Sequence, residues 1–122
     1  MKYTNLQLQN YFDVLNKIAS KVTGKLAYLV TKNARKISEE LQEYTDIRNN
    51  KLRQYGEERD GQIFLSIDSE NYPKFITEMA EYDEIESELS FLKVEPKDLY
   101  TSNLNAIEID QISFMINDEE DA

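Results

Sequence analysis

Residues 25–55 contain neither proline nor glycine, and Gly24 and Gly56 bracket them. Apolar or aromatic side chains recur there at Leu26, Val30, Ala34, Ile37, Leu41, Tyr44, Ile47, Leu52 and Tyr55, close to a heptad rhythm. That period without a breaker predicts one helix of roughly 45 Å, at 1.5 Å per residue. Such a helix far exceeds the average globular one and outruns any helix the first 22 residues can form. Its overhang, residues 42–55, must therefore pack on the C-terminal half, on a second subunit or on a partner. A heptad pattern this long also suits a coiled coil.

The segment before it supplies an antiparallel partner. Leu8, Tyr11, Leu15, Ile18 and Val22 alternate three- and four-residue steps, and Phe12 widens the stripe. Thr4 with Gln7 three residues later makes a capping-box pattern, and Gly24 can adopt the left-handed conformation of a turn. Residues 1–56 thus predict a helical hairpin.

Residues 57–116 predict a small α+β unit on the same domain. Residues 57–61 form a polar loop closing on the Asp60-Gly61 turn signal. Residues 62–68 alternate as a strand with Ile63, Leu65 and Ile67 on one face. Pro73 opens a helix whose inner face is Phe75, Ile76, Met79 and Tyr82. Residues 87–94 suggest a second strand with Leu89 and Phe91 inward, ended by Pro96, and Leu99 and Tyr100 a short helical turn. In residues 104–116 the Asn105–Glu108 pair caps a helix with Ile109, Ile112 and Ile116 on one stripe, although Ile107 and Ile109 also alternate as a strand would. The expected fold class is α+β, mainly α: one domain over 1–122 with an acidic tail at 117–122.

Charge is divided unevenly. Residues 1–36 hold seven bases and one acid, whereas the whole chain carries a net charge of −10. Polarity of this kind suits steering toward a charged partner or docking of one half on the other; the plainer reading is a solvated surface. Six acids and no base fall within residues 78–88: Glu78, Glu81, Asp83, Glu84, Glu86 and Glu88. Four more, Asp118, Glu119, Glu120 and Asp121, follow the apolar Phe114-Met115-Ile116. These ten are the candidate partner-binding residues, suited to a basic surface on another protein.

Chemistry is scarce. The chain has no His and no Cys, which removes the usual neutral-pH base, the commonest metal ligand and any thiol nucleophile. No phosphate-binding glycine loop, calcium-loop spacing or hydrolase motif occurs. No catalytic, cofactor or metal site is expected. A homodimer remains open and nucleic acid is disfavoured by the overall charge. With no membrane-length apolar run and no signal-peptide pattern at the N-terminus, the expected location is cytoplasmic.

The N-terminal MKYTNLQLQNYFDVLNKI, the segment AYLVTKNARKISEELQEYTDIRNNKLRQYG and the terminal FMINDEE resemble a family of short uncharacterised proteins encoded by phages and prophages of Gram-positive bacteria. The resemblance covers nearly the whole chain. It implies a small protein made in an infected or lysogenic cell, and it brings no catalytic residues or cofactor. Two functions follow as expectations. One is a non-enzymatic protein that blocks or modulates a host protein, such as a defence or nucleic-acid-processing factor. The other is a virion assembly or structural adaptor that self-associates through its long helix.

Overall fold

The computed structural model describes residues 1–117. In chain order the elements are β1 (Lys2–Thr4), α1 (Asn5–Ile18), α2 (Gly24–Glu40), α3 (Gln42–Tyr55), β2 (Glu57–Arg59), β3 (Gln62–Phe64), α4 (Tyr72–Asp83), β4 (Glu86–Glu88) and α5 (Ala106–Gln111). Short 3-10 turns lie at Ala19–Lys21, Pro96–Leu99 and Ser113–Met115. The fold is mainly helical α+β, as the sequence pattern predicts.

The hairpin of α1 against α2 forms as expected. Leu8, Leu15 and Ile18 from α1 meet Val30 and Ile37 from α2 in the fully buried core. The Thr4 capping box is present: Gln7 N–H donates to Thr4 Oγ1 at 3.1 Å, and Thr4 N–H to Gln7 Oε1 at 2.9 Å. Gly24 takes its left-handed conformation, with φ of +61°.

The single long helix of the sequence reading is instead two segments that meet at Leu41, whose ψ of 2° departs from helical values. The break is slight. Leu41 N–H still donates to Ile37 C=O at 2.9 Å, and Thr45 N–H to Leu41 C=O at 2.8 Å. Leu41 is buried, so the bend turns about a core side chain. The overhang, α3, packs against α4 in the same chain.

Both strands predicted from the sequence are shorter, and they do not pair with each other. Residues 62–64 close a tight hairpin on β2, with Glu57 opposite Phe64 and Arg59 opposite Gln62. Asp60 and Gly61 supply the two left-handed residues of its turn, at φ 52° and 80°. Beyond Phe64 the chain leaves the strand because Ser66 turns it: its carbonyl accepts from Ser69 N–H and its hydroxyl from Asp68 N–H. Ile67 consequently lies 74% exposed, not on an inner face. Residues 86–88 pair antiparallel with β1, a strand the sequence reading missed. Ile76 is also exposed, whereas Phe75 and Met79 of the same helix are buried.

Residues 89–94 form no ladder, yet they are tightly held. Asn33, fully buried on α2 between Val30 and Ile37, docks its amide onto the backbone of Leu92. Its Nδ2 donates to Leu92 C=O and its Oδ1 accepts from Leu92 N–H, both at 2.9 Å. One turn on, Lys36 Nζ donates to Ser90 C=O at 2.9 Å. The held segment then grips the C-terminal one: Val94 N–H donates to Met115 C=O, and Asn117 N–H to Val94 C=O, each at 2.7 Å.

The final apolar residues are core. Met115 is fully buried, and Phe114 stacks on Tyr11 with ring centroids 4.0 Å apart. Phe91 meets Phe114 edge-on at 4.9 Å, and Tyr3 meets Phe91 at 5.3 Å, which joins four elements of structure in one aromatic cluster. The last helix is real but brief. Its Asn105 box closes with Glu108, which is buried and also takes Lys21 Nζ at 2.6 Å.

Replacing Asn33 by Leu keeps the branched shape but removes the partner of both part-buried Leu92 backbone groups. The expected loss is about 2–4 kcal/mol in denaturant unfolding, with faster hydrogen exchange at the Leu92 amide. Unchanged stability and exchange would show that the clamp does not hold this segment.

Candidate functional site

Sequence reasoning placed six acids together in residues 78–88, and the structure separates them by role. Glu78 faces α3, where Lys51 Nζ donates to its Oε1 at 2.9 Å. The Tyr55 hydroxyl, and then Lys51, hold its carboxyl below the ordinary carboxylate range. Its other oxygen is shut away from solvent near Tyr55 without a well-aligned hydrogen bond. Asp83 is also engaged, because it accepts the hydroxyl proton of Tyr44. Burial, and then this bond, push the Tyr44 phenol up to about 12. Glu88 takes the N-terminal ammonium of Met1 at 2.7 Å. Glu81, Glu84 and Glu86 are exposed and make no ion pair among the described residues. The other candidates, Asp118, Glu119, Glu120 and Asp121, lie outside the described residues.

The structure adds two acids that the sequence reading did not select. Glu40 and Glu43 flank the bend at Leu41. Together with Tyr44, Ile47, Tyr82 and Ile85 they line a groove of about 180 Å³. No base lines it. Ile85 is 52% exposed on its wall, between the exposed Glu84 and Glu86. The wall is set from α1: Asn5 N–H donates to Ile85 C=O at 3.0 Å, and Asn5 Nδ2 to Tyr82 C=O at 2.9 Å. Only chain distance hid this grouping. Residues 40–47 carry no motif in common with residues 82–87, which form the opposite wall.

A larger cleft of about 470 Å³ lies at the opposite end of α3, between the β2–β3 hairpin and the turn before α4. Tyr55, Phe64 and Leu65 give it apolar walls, while Glu57 and Arg59 pair with each other across it at 2.8 Å. Gly56 makes the cleft possible. A Cβ there would stand 2.7 Å from Leu52 C=O and 2.8 Å from Phe64 C=O, so helix and hairpin approach only because glycine occupies the corner. The charge of this cleft is balanced. The smaller groove instead joins the half-exposed Ile85 to acids of one sign, Glu40 and Glu43.

Among the described residues no three carboxylates converge as a cation site would need, and no helix is long and apolar enough to cross a membrane. No family model matches the chain, and no similar chain was found among curated proteins or solved structures.

Tyr44→Phe tests the floor of the groove. Because its phenol is raised, the Tyr44 contribution to stability is complete below the ordinary tyrosine range near pH 10. It is lost as pH rises through about 12. Removing the hydroxyl should cost about 1 kcal/mol at neutral pH, discounted for partial solvent screening, and that deficit should shrink toward pH 12. A spectrophotometric titration should show one late-ionising tyrosine fewer. An unaltered titration would remove Tyr44 from this role.

Proposed function

We propose that this chain is a small non-enzymatic binding protein that engages a partner protein through the acidic groove between α3 and the α4–β4 corner. The supporting observation is that Glu40 and Glu43 line one groove with the half-exposed Ile85, with no base among the residues lining it. An apolar residue beside two like charges favours a partner that offers a basic side chain beside an apolar one. The acids raise the association rate toward such a surface, and the apolar contact slows release.

The absence of His and Cys from the sequence favours binding over catalysis. Resemblance to phage and prophage proteins supplies the setting: a host protein, whose activity is blocked or modulated when its basic surface is covered. The acids after Asn117 would add to long-range attraction in the same direction.

The test is purification of the tagged protein from a Gram-positive host, with mass spectrometry of what co-elutes, beside the variant Glu84→Lys/Ile85→Ser/Glu86→Lys. These side chains are exposed, so the variant should melt close to the wild type, within about 0.5 kcal/mol. A host protein with a basic surface should be retained by the wild type and lost by the variant, and its association should slow as salt rises. Equal retention by both proteins would rule out the groove. Co-elution of capsid or tail proteins would favour the structural adaptor.

A further inference from the structure

The outward face of α2 and α3 reverses its charge along its length. Residues 28, 32, 35, 39, 43 and 46 recur at three- and four-residue steps and share that face. The bases come first, Lys32 and Arg35, and the acids follow, Glu39, Glu43 and Asp46. Tyr28 is 57% exposed, with Lys32 Nζ 5.6 Å above its ring. Arg35, Glu39, Glu43 and Asp46 are all exposed. Among the described residues none of these five charges enters an ion pair, although Arg35 and Glu39 stand one helical turn apart. The helical hydrogen bonds retained on both sides of Leu41 carry the face through the bend.

We propose that two copies of the chain associate through this face, antiparallel, about a two-fold axis crossing the helix between Arg35 and Glu39. In that register Arg35 stands opposite Glu39 of the second copy, Lys32 opposite its Gln42–Glu43 turn, and Tyr28 opposite its Asp46. The symmetry repeats each contact, so the interface is closed and self-complementary. A parallel arrangement sets bases on bases and acids on acids, and is disfavoured for that reason. Opposing the association is the net charge of −10 on each copy. That repulsion is long-ranged and is screened at about 0.1 M salt, where the Debye length is about 10 Å. The close cross-helix pairs survive to higher salt and weaken near 1 M, where it is about 3 Å. With Tyr28 its one large apolar residue, the interface is a weak one.

Sedimentation equilibrium of the full chain at about 0.15 M salt tests the proposal with two charge reversals, Lys32→Glu/Arg35→Glu and Glu39→Lys/Glu43→Lys. Each variant alone should dimerise at least about tenfold more weakly than the wild type. Mixed in equal amounts, they should recover wild-type affinity to within about threefold, because acid then faces base on both sides of the axis. Should a reversal fail to fold, the neutral variant Glu39→Gln/Glu43→Gln should still weaken dimerisation about threefold. A wild type that stays monomeric to about 1 mM overturns the proposal. So do variants that dimerise as well as the wild type, or a mixture that stays monomeric.

Discussion

Burying an amide side chain in an apolar core is favourable only when each of its polar atoms finds a partner. Asn33 meets that demand by holding both backbone groups of Leu92, and much of the C-terminal half follows from it. Leu92 lies in a stretch with no ladder of its own, so without the clamp its N–H and C=O would need water. With it, Phe91 is fixed beneath Tyr3 and Phe114, and Val94 is placed to pair with the segment that ends the described chain. A side chain on a helix thus does here what a neighbouring strand does in a sheet. Asn5 and Asn71 act similarly, donating to the carbonyls of Tyr82 and Tyr55. Three asparagines therefore anchor the connecting segments to helices in a chain that has no disulfide.

The helices and their caps were legible because their signals are local. Thr4 with Gln7, and Asn105 with Glu108, each name a cap three residues apart, and the apolar period names the buried faces. What escaped the sequence reading depends on distant partners. β1 is three residues long and exists because residues 86–88 lie beside it. The bend at Leu41 leaves the apolar period almost undisturbed, so no periodicity argument detects it. Asn33 sits on the apolar stripe of α2, where a lone asparagine looks like an interruption. Its identity as a clamp appears only once Leu92 is known to lie against it. The same holds for the groove, whose two main walls come from segments some forty residues apart in sequence.

Charge follows the same division between local and distant effects. Within residues 78–88 the acids looked equivalent, yet Glu78 and Asp83 are committed to the fold, through Lys51 and Tyr44, while Glu88 meets only the N-terminal ammonium in an exposed pair. Pairing of a carboxylate at a partly buried site contributes to stability and removes it from the surface available to a partner. The exposed remainder, Glu81, Glu84 and Glu86, contributes little to folding because water and salt screen it. Acids that cost a folded protein repulsion without stabilising it are the ones most available for recognition.

The groove also explains why α1 begins where it does. Asn5 is the first residue of that helix, and its own N–H is among those a helix leaves without an internal partner. Here the unpaired donor goes to Ile85 C=O, while the Asn5 side chain reaches Tyr82 C=O at the end of α4. Thr4 and Gln7 satisfy the neighbouring donors reciprocally, so the start of α1 is fixed on two sides. One helix terminus is thereby spent on shaping the loop that presents Ile85 between two glutamates. Were Ile85 wanted for the core, the chain could turn it inward at the cost of these bonds. Holding it outward forgoes part of the roughly 1.5–3 kcal/mol that burying such a side chain would contribute. The hydrogen bonds from Asn5 thus hold in place a loop that keeps an apolar residue half in water on the wall of a groove whose acids are Glu40 and Glu43.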